Sequence, residues 1–140
     1  LKYNFHMKYP MTLNQFAVLL YVISLFSPAI IGTWRTLNGF DLLVGGMFGI
    51  FAGIVAGYGN ILLWISWSAA AKKRNITSLV LALFGFAIGC QTFFLGTIIV
   101  DEGGTQMPIV SFGIAVYLWL ASFLLTALQA FIKLRSKAVA

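Results

Sequence analysis

The chain has 140 residues, of which 61% are hydrophobic and only 9% charged, against roughly 25% charged in an average soluble domain; its mean hydropathy is +0.97. This balance argues against an ordinary water-soluble domain and leaves no length for a second one. The formal charge of +6 would suggest nucleic acid as the partner of a soluble protein. Here the cations fall at the ends of apolar runs, where anionic lipid head groups attract them by about 1 kcal/mol each, so nucleic acid is not expected.

Each helical crossing of a hydrocarbon core about 30 Å thick needs about 20 residues. The length therefore predicts a single all-α integral membrane domain, a four-transmembrane-helix bundle with antiparallel up-down topology. Residues 1–12 form a polar, basic leader with Lys2, His6 and Lys8, and Met7 offers one natural start, with residues 1–6 then non-native; the alternative is an unusual start codon at Leu1. Helix one is predicted over residues 13–33. It reads as a retained anchor, because nothing near Ser27, Pro28 and Ala29 resembles the small-residue cleavage site of a signal peptide. Pro28 predicts a kink near its outer end, with Ser24 or Ser27 satisfying the released carbonyl.

Residues 34–41, with Trp34, Arg35, Asn38 and Asp41, form the expected first outer loop. Helix two is predicted over residues 43–71 and ends at Lys72, Lys73 and Arg74. Helix three is predicted over residues 76–100, followed by a loop containing Asp101, Glu102, Gly103 and Gly104. Helix four covers residues 109–132, and Lys133, Arg135 and Lys137 mark the tail. Of the nine Lys and Arg residues, all except Arg35 fall on one side of these helices. The bias of Lys and Arg towards the cytoplasm makes that side cytoplasmic, with both termini inside. Small size, short loops and this bias suggest a bacterial inner membrane.

The most specific pattern is a glycine zipper, Gly45, Gly49, Gly53 and Gly57, at a spacing that puts all four on one face of a continuous helix. Small residues there let another helix approach closely. Two occupants fit such a groove: another helix of the same chain, or a helix of a second copy or another membrane protein. Ala82, Gly85, Gly89 and Gly96 repeat the pattern more weakly on helix three.

Asn60 and Gln91 are mid-helix polar residues on neighbouring antiparallel helices. Their expected use is interhelical hydrogen bonding, with a solute-lining role as the alternative. Neither is ionisable, whereas ion-coupled transport usually places Asp, Glu, Lys, Arg or His within the bundle. His6 is the only histidine and Cys90 the only cysteine, so no nucleophile-and-base pair, metal site or cofactor site is expected. Trp34, Trp64, Trp67 and Trp119 fall towards helix ends as interface anchors.

These features predict a non-enzymatic membrane protein that acts by helix–helix contact with another membrane component, as an accessory subunit or immunity-type protein. Its expected partners are the lipid bilayer and another membrane protein or a second copy of itself. The alternative is an oligomeric pore or small-solute transporter, with the glycine face as subunit seam.

Overall fold

A computed structural model describes residues 11–46, 54–101 and 103–138. The first helix, α1 (Leu13–Phe26), begins at a reciprocal cap. The Thr12 hydroxyl accepts from the Gln15 N–H, and the Gln15 side chain accepts from the Thr12 N–H at 2.8 Å, which satisfies two of the donors a helix start leaves open.

It does not continue through Pro28 with a kink, as the sequence predicts. The residue before a proline is pushed out of the helical region, and Ser27 is extended, with φ −96° and ψ 154°. The Ser27 hydroxyl donates to Ile23 O at 2.8 Å and the Ser27 N–H to Ser24 O at 3.3 Å, so carbonyls of the last turn keep partners. The β-branched Ile30 and Ile31 then favour a strand, and the chain runs on as β1 (Pro28–Gly32).

A short return forms β2 (Thr36–Asn38) and leads into α2 (Gly39–Gly46). The Asp41 carboxylate accepts from the Asn38 N–H at 3.0 Å and puts negative charge in the first turn of α2, where the helix dipole favours it. The predicted second helix is therefore divided. Beyond α2 the described chain resumes before a 3-10 turn at Ala56–Tyr58, which leads into α3 (Gly59–Ala71).

The basic tripeptide closes α3 with a six-residue cap. Lys73 donates to Ala70 O at 3.0 Å and Arg74 to Ala69 O at 2.9 Å, and Lys73 takes the left-handed conformation, φ 59°, that such a cap requires. Next comes α4 (Asn75–Gly89), which tightens into a 3-10 stretch at Cys90–Phe94.

The third and fourth predicted helices also lose their outer ends to strands, β3 (Thr97–Ile99) and β4 (Gln106–Phe112). The last helix, α5 (Ile114–Ala138), completes the chain. The four strands form an antiparallel sheet in the order β2-β1-β4-β3. Pro108 cannot donate to this ladder. It lies beside the point where the β1–β4 register skips a residue, between the Ile31–Ser111 and Gly32–Ile109 pairs.

The expected all-α four-helix transmembrane bundle is thus replaced by a mixed helix and sheet fold. Among the described residues, two segments are long and apolar enough to cross a membrane, Asn75–Phe94 and Ile114–Ser136. α1 is apolar but has 14 residues, roughly 21 Å of helix, short of a 30 Å core.

α5 packs between α1 and α4, and α3 lies against α4. The inward positions of α4 are Asn75, Ser78, Ala82, Gly85 and Gly89, a seam of small and polar residues. The Phe123 ring fits against Gly85, where an added methyl group would lie 3.1 Å from its Cδ1. Beneath the sheet, Ile30, Leu37 and Met107 form a separate buried cluster.

Two outcomes follow. A non-glycine residue in the left-handed region costs roughly 1–2 kcal/mol, so Lys73→Gly should raise the thermal unfolding midpoint in detergent, and an unchanged or lower midpoint would contradict the cap. In the β3–β4 turn, hydrogen bonds from the Thr105 side chain and backbone hold the Asp101 carboxyl below its ordinary value of 3.8. A depressed carboxyl stabilises the fold above its unfolded pKa and loses that effect as pH falls through the folded value. The protection factor of the Thr105 amide, its exchange relative to an unstructured peptide at the same pH, should therefore hold above pH 3.8 and fall as the pH drops through the folded value below it, while Asp101→Ala should lack this protection at neutral pH.

Candidate binding cavity

The sheet, α2 and the adjoining ends of α1, α3 and α5 line a half-open cavity of about 870 Å³. Its walls are mostly aliphatic, with Leu25 from α1, Leu42 from α2, Ile98 from β3 and Val116 from α5. The polar groups within are few: Ser24, Asn60 and Thr92. Arg35, Asp41 and Asp101 contribute the charges.

One wall is built on the 3-10 turn at Ala56–Tyr58, which is held by the two polar residues singled out in the sequence. The Gln91 Oε1 accepts from the Val55 N–H at 2.8 Å and the Ala56 N–H at 3.1 Å. From the other side the Asn60 Nδ2 donates to Gly57 O at 3.0 Å, and its Oδ1 accepts from the Trp119 Nε1 at 2.9 Å. Asn60 is 6% exposed, so both ends of a buried amide are partnered, as burial requires. The two residues fasten the same turn and tie it to α5; the direct bond between them is replaced by these backbone contacts.

The glycine series is distributed differently from the predicted single face. Gly49 and Gly53 lie outside the described residues. Gly45 belongs to α2 and borders the cavity, and a methyl group there would meet nothing within 4 Å. Gly57 sits in the 3-10 turn with its backbone against that of Gly46, where an added methyl group would come within 2.7 Å of the Gly46 Cα. Over the described residues the glycines therefore bring α2 and the turn together, a backbone-to-backbone approach that no side chain permits.

The charged groups divide by partner. Asp41 and Asp101 are engaged by the N–H groups of Asn38 and Thr105. Arg35 is exposed and forms no ion pair among the described residues. Thr92 is 5% exposed, yet its hydroxyl bonds to none of the described residues. Trp119, half-buried, is read from the sequence as an interface anchor; a Trp in an apolar helix signals an interface as readily as an interior hydrogen bond.

Among the described residues no three His, Cys, Asp or Glu side chains gather where they could hold a metal ion. Cys90 is a half-buried free thiol, and His6 lies outside the described residues. The arrangement suits non-covalent binding, with apolar walls and a few directed polar groups. No family of known proteins, no curated protein and no solved structure matches this chain.

The contrast between the two described glycines is directly testable. Gly57→Ala should destabilise the protein by about 1–3 kcal/mol, the usual cost of overpacking, whereas Gly45→Ala should be neutral or mildly stabilising, because Ala is the better helix former. Thermal unfolding of the two variants in the same detergent measures the difference, and equal tolerance would remove the Gly46–Gly57 contact from the account.

Proposed function

We propose that this chain is a membrane-inserted, non-enzymatic interaction protein, anchored by α4 and α5, that engages another membrane component through its helix faces. The observation that carries this reading is the arrangement of side-chain size. Large apolar residues point outward: Phe16, Leu19 and Ile23 on α1, Val80 and Phe84 on α4, and Leu128 on α5 are all exposed. Many positions between the helices are small or polar, with Ala17, Ser66, Ser78, Ala82, Ser122 and Thr126 buried beside the larger Tyr21, Leu63 and Phe123.

Water would select the opposite arrangement, because exposed apolar surface is unfavourable there. In lipid there is no hydrophobic drive between helices, and association relies on close approach through small residues and on interhelical hydrogen bonds. Both are present. Ser66 and Ser78 join α3 to α4 at 3.0 Å, and Trp67 donates to the Thr126 hydroxyl of α5 at 2.9 Å. Only 28% of the Asn75–Phe94 window and 50% of the Ile114–Ser136 window is buried within the protein, which leaves their outer faces to acyl chains or a partner helix.

The turn Lys72, Lys73 and Arg74 lies at the end of α3 and α4 away from the sheet, with Lys133 and Arg135 on the last turns of α5. The positive-inside bias then puts this end in the cytoplasm and the sheet outside, in a bacterial inner membrane. Supporting the partner reading, the exposed positions named above on α1, α4 and α5 are apolar.

Three measurements test this. The chain should resist extraction by alkaline carbonate and yield to detergent; release by carbonate would refute insertion. In a Cys90→Ser background, Gly104→Cys should react with an impermeant maleimide in intact cells and Lys73→Cys only after permeabilisation, and the opposite pattern would invert the orientation. Blue-native migration after mild solubilisation should exceed that of the monomer, and a monomeric band alone would count against helix-face association.

A further inference from the structure

A second recess lies at the end of the helices away from the sheet. The start of α1, the end of α3 and the later turns of α5 border an open groove of about 430 Å³, within the roughly 300–1,000 Å³ range of small-molecule sites. Val18, Trp67, Ala70 and Ala71 give it an apolar wall. Thr12, Gln15, Gln129 and Lys133 supply polar groups.

The acceptors among these side chains already serve backbone N–H groups. The Thr12 hydroxyl accepts from the Gln15 N–H at 3.3 Å, and the Gln15 Oε1 accepts from the Thr12 N–H at 2.8 Å. The Gln129 Oε1, on a side chain only 8% exposed, accepts from the Asn14 N–H at 2.6 Å. On the α3 side, the carbonyls of Ala69 and Ala70 accept from the N–H groups of Arg74 and Lys73. The Asn14 Oδ1 has no partner among the described residues, but it is buried and out of a ligand's reach. What remains to meet a ligand is a hydroxyl hydrogen, the NH2 ends of two amides and the Lys133 ammonium, all of them donors. Such a set suits a ligand rich in acceptors.

Charge narrows the choice. Among the described residues Lys133 is the one charged group lining the groove, and Lys72, Lys73 and Arg74 follow directly on its Ala71. The described acids, Asp41 and Asp101, stand in α2 and in the β3–β4 turn at the sheet end. A lysine stem can lie along apolar surface while its ammonium stays at the membrane interface, where hydrogen bonds to phosphate are strengthened by charge.

We propose that this groove holds the phosphate of an anionic phospholipid from the leaflet at the basic end, with the start of an acyl chain along Val18 and Trp67. The proposal rests on the membrane insertion argued above.

The test reconstitutes the full chain into phosphatidylcholine vesicles and titrates in one of three probes with the same diazirine-bearing acyl chains: phosphatidylglycerol, phosphatidylcholine or diacylglycerol. Crosslinked peptides are located by mass spectrometry. Phosphatidylglycerol should label Val18 or Trp67 and reach half-saturation at a lower mole fraction than the other two. Lys133→Gln should raise that mole fraction about fivefold, the scale of an exposed ion pair. Gln15→Glu keeps the oxygen that caps Thr12 and adds negative charge where the α1 dipole favours it, so the fold is retained while a groove donor becomes an anionic acceptor. It should weaken binding about fivefold or more. Arg135→Gln removes the same charge from an exposed position outside the groove and should change half-saturation by less than about twofold.

Equal half-saturation by phosphatidylglycerol and phosphatidylcholine, crosslinks confined to outward residues such as Val80 and Leu128, or equal weakening by Arg135→Gln and Lys133→Gln would overturn the site. Loss of the Val18 and Trp67 crosslinks on adding millimolar inorganic phosphate would assign the groove to a soluble phosphate and overturn the lipid. Release of the unmodified chain by carbonate would overturn insertion and the lipid together, whereas absent groove crosslinks in a carbonate-resistant chain would overturn the groove alone.

Discussion

The pairing of β1 with β4 is the joint on which the other parts of the molecule depend. A helix cannot run through Pro28 without freeing a carbonyl, and the chain beyond it needs new partners for its backbone. β4, some eighty residues later in the chain, supplies them in the register Ile30–Phe112 and Ile31–Ser111. Because β1 follows α1 directly and β4 precedes α5 directly, this ladder also sets the two helices side by side. The Gly113 N–H closes the joint on Ala29 O at 2.8 Å, leaving α5 to start at Ile114 beneath the sheet.

Below the joint, the helices approach through small side chains. Gly85 and Gly89 on α4 open a notch for Phe123, Leu120 and Trp119 of α5, and the buried hydroxyls of Ser66, Ser78, Ser122 and Thr126 are bonded either to a neighbouring helix or to the preceding turn, as Thr126 is to Ser122 O at 2.8 Å. Such an interior gains more from van der Waals contact and satisfied polar groups than from burial of apolar area. It is compatible with leaving large apolar side chains such as Phe84 and Phe131 on the outside.

The cavity arises where these two systems meet. The sheet covers the ends of the helices, but α2 is short and the next described segment is a 3-10 turn, so Gly45 and Gly57 border the space between them beside Leu42 and Trp119. The turn stays in place because three independent contacts hold it: Gln91 at its start, Asn60 at its Gly57 carbonyl, and the Gly46 backbone against Gly57. Loss of any one would leave polar backbone groups facing an apolar space.

By itself the sequence determined the apolar class of the chain, the basic turn at Lys72–Arg74 and the importance of Asn60, Gln91 and Gly57, because charge placement, glycine spacing and isolated polar residues are local signals. The inner ends of the helical runs were equally legible. Tertiary structure alone decided that residues 28–32, 97–99 and 106–112 are strands. Their apolar runs are continuous with the helices, periodicity does not separate a buried strand from a helix in such runs, and the hydrogen bonds that select the strand come from partners distant in the chain. It also decided that Gly45 and Gly57 serve two elements rather than one helical face, since a spacing of four residues aligns them only if the helix between them is unbroken. The cavity could not be read at all, because Thr92, Arg35 and Trp119 are brought together by the β1–β4 pairing and by no pattern along the chain.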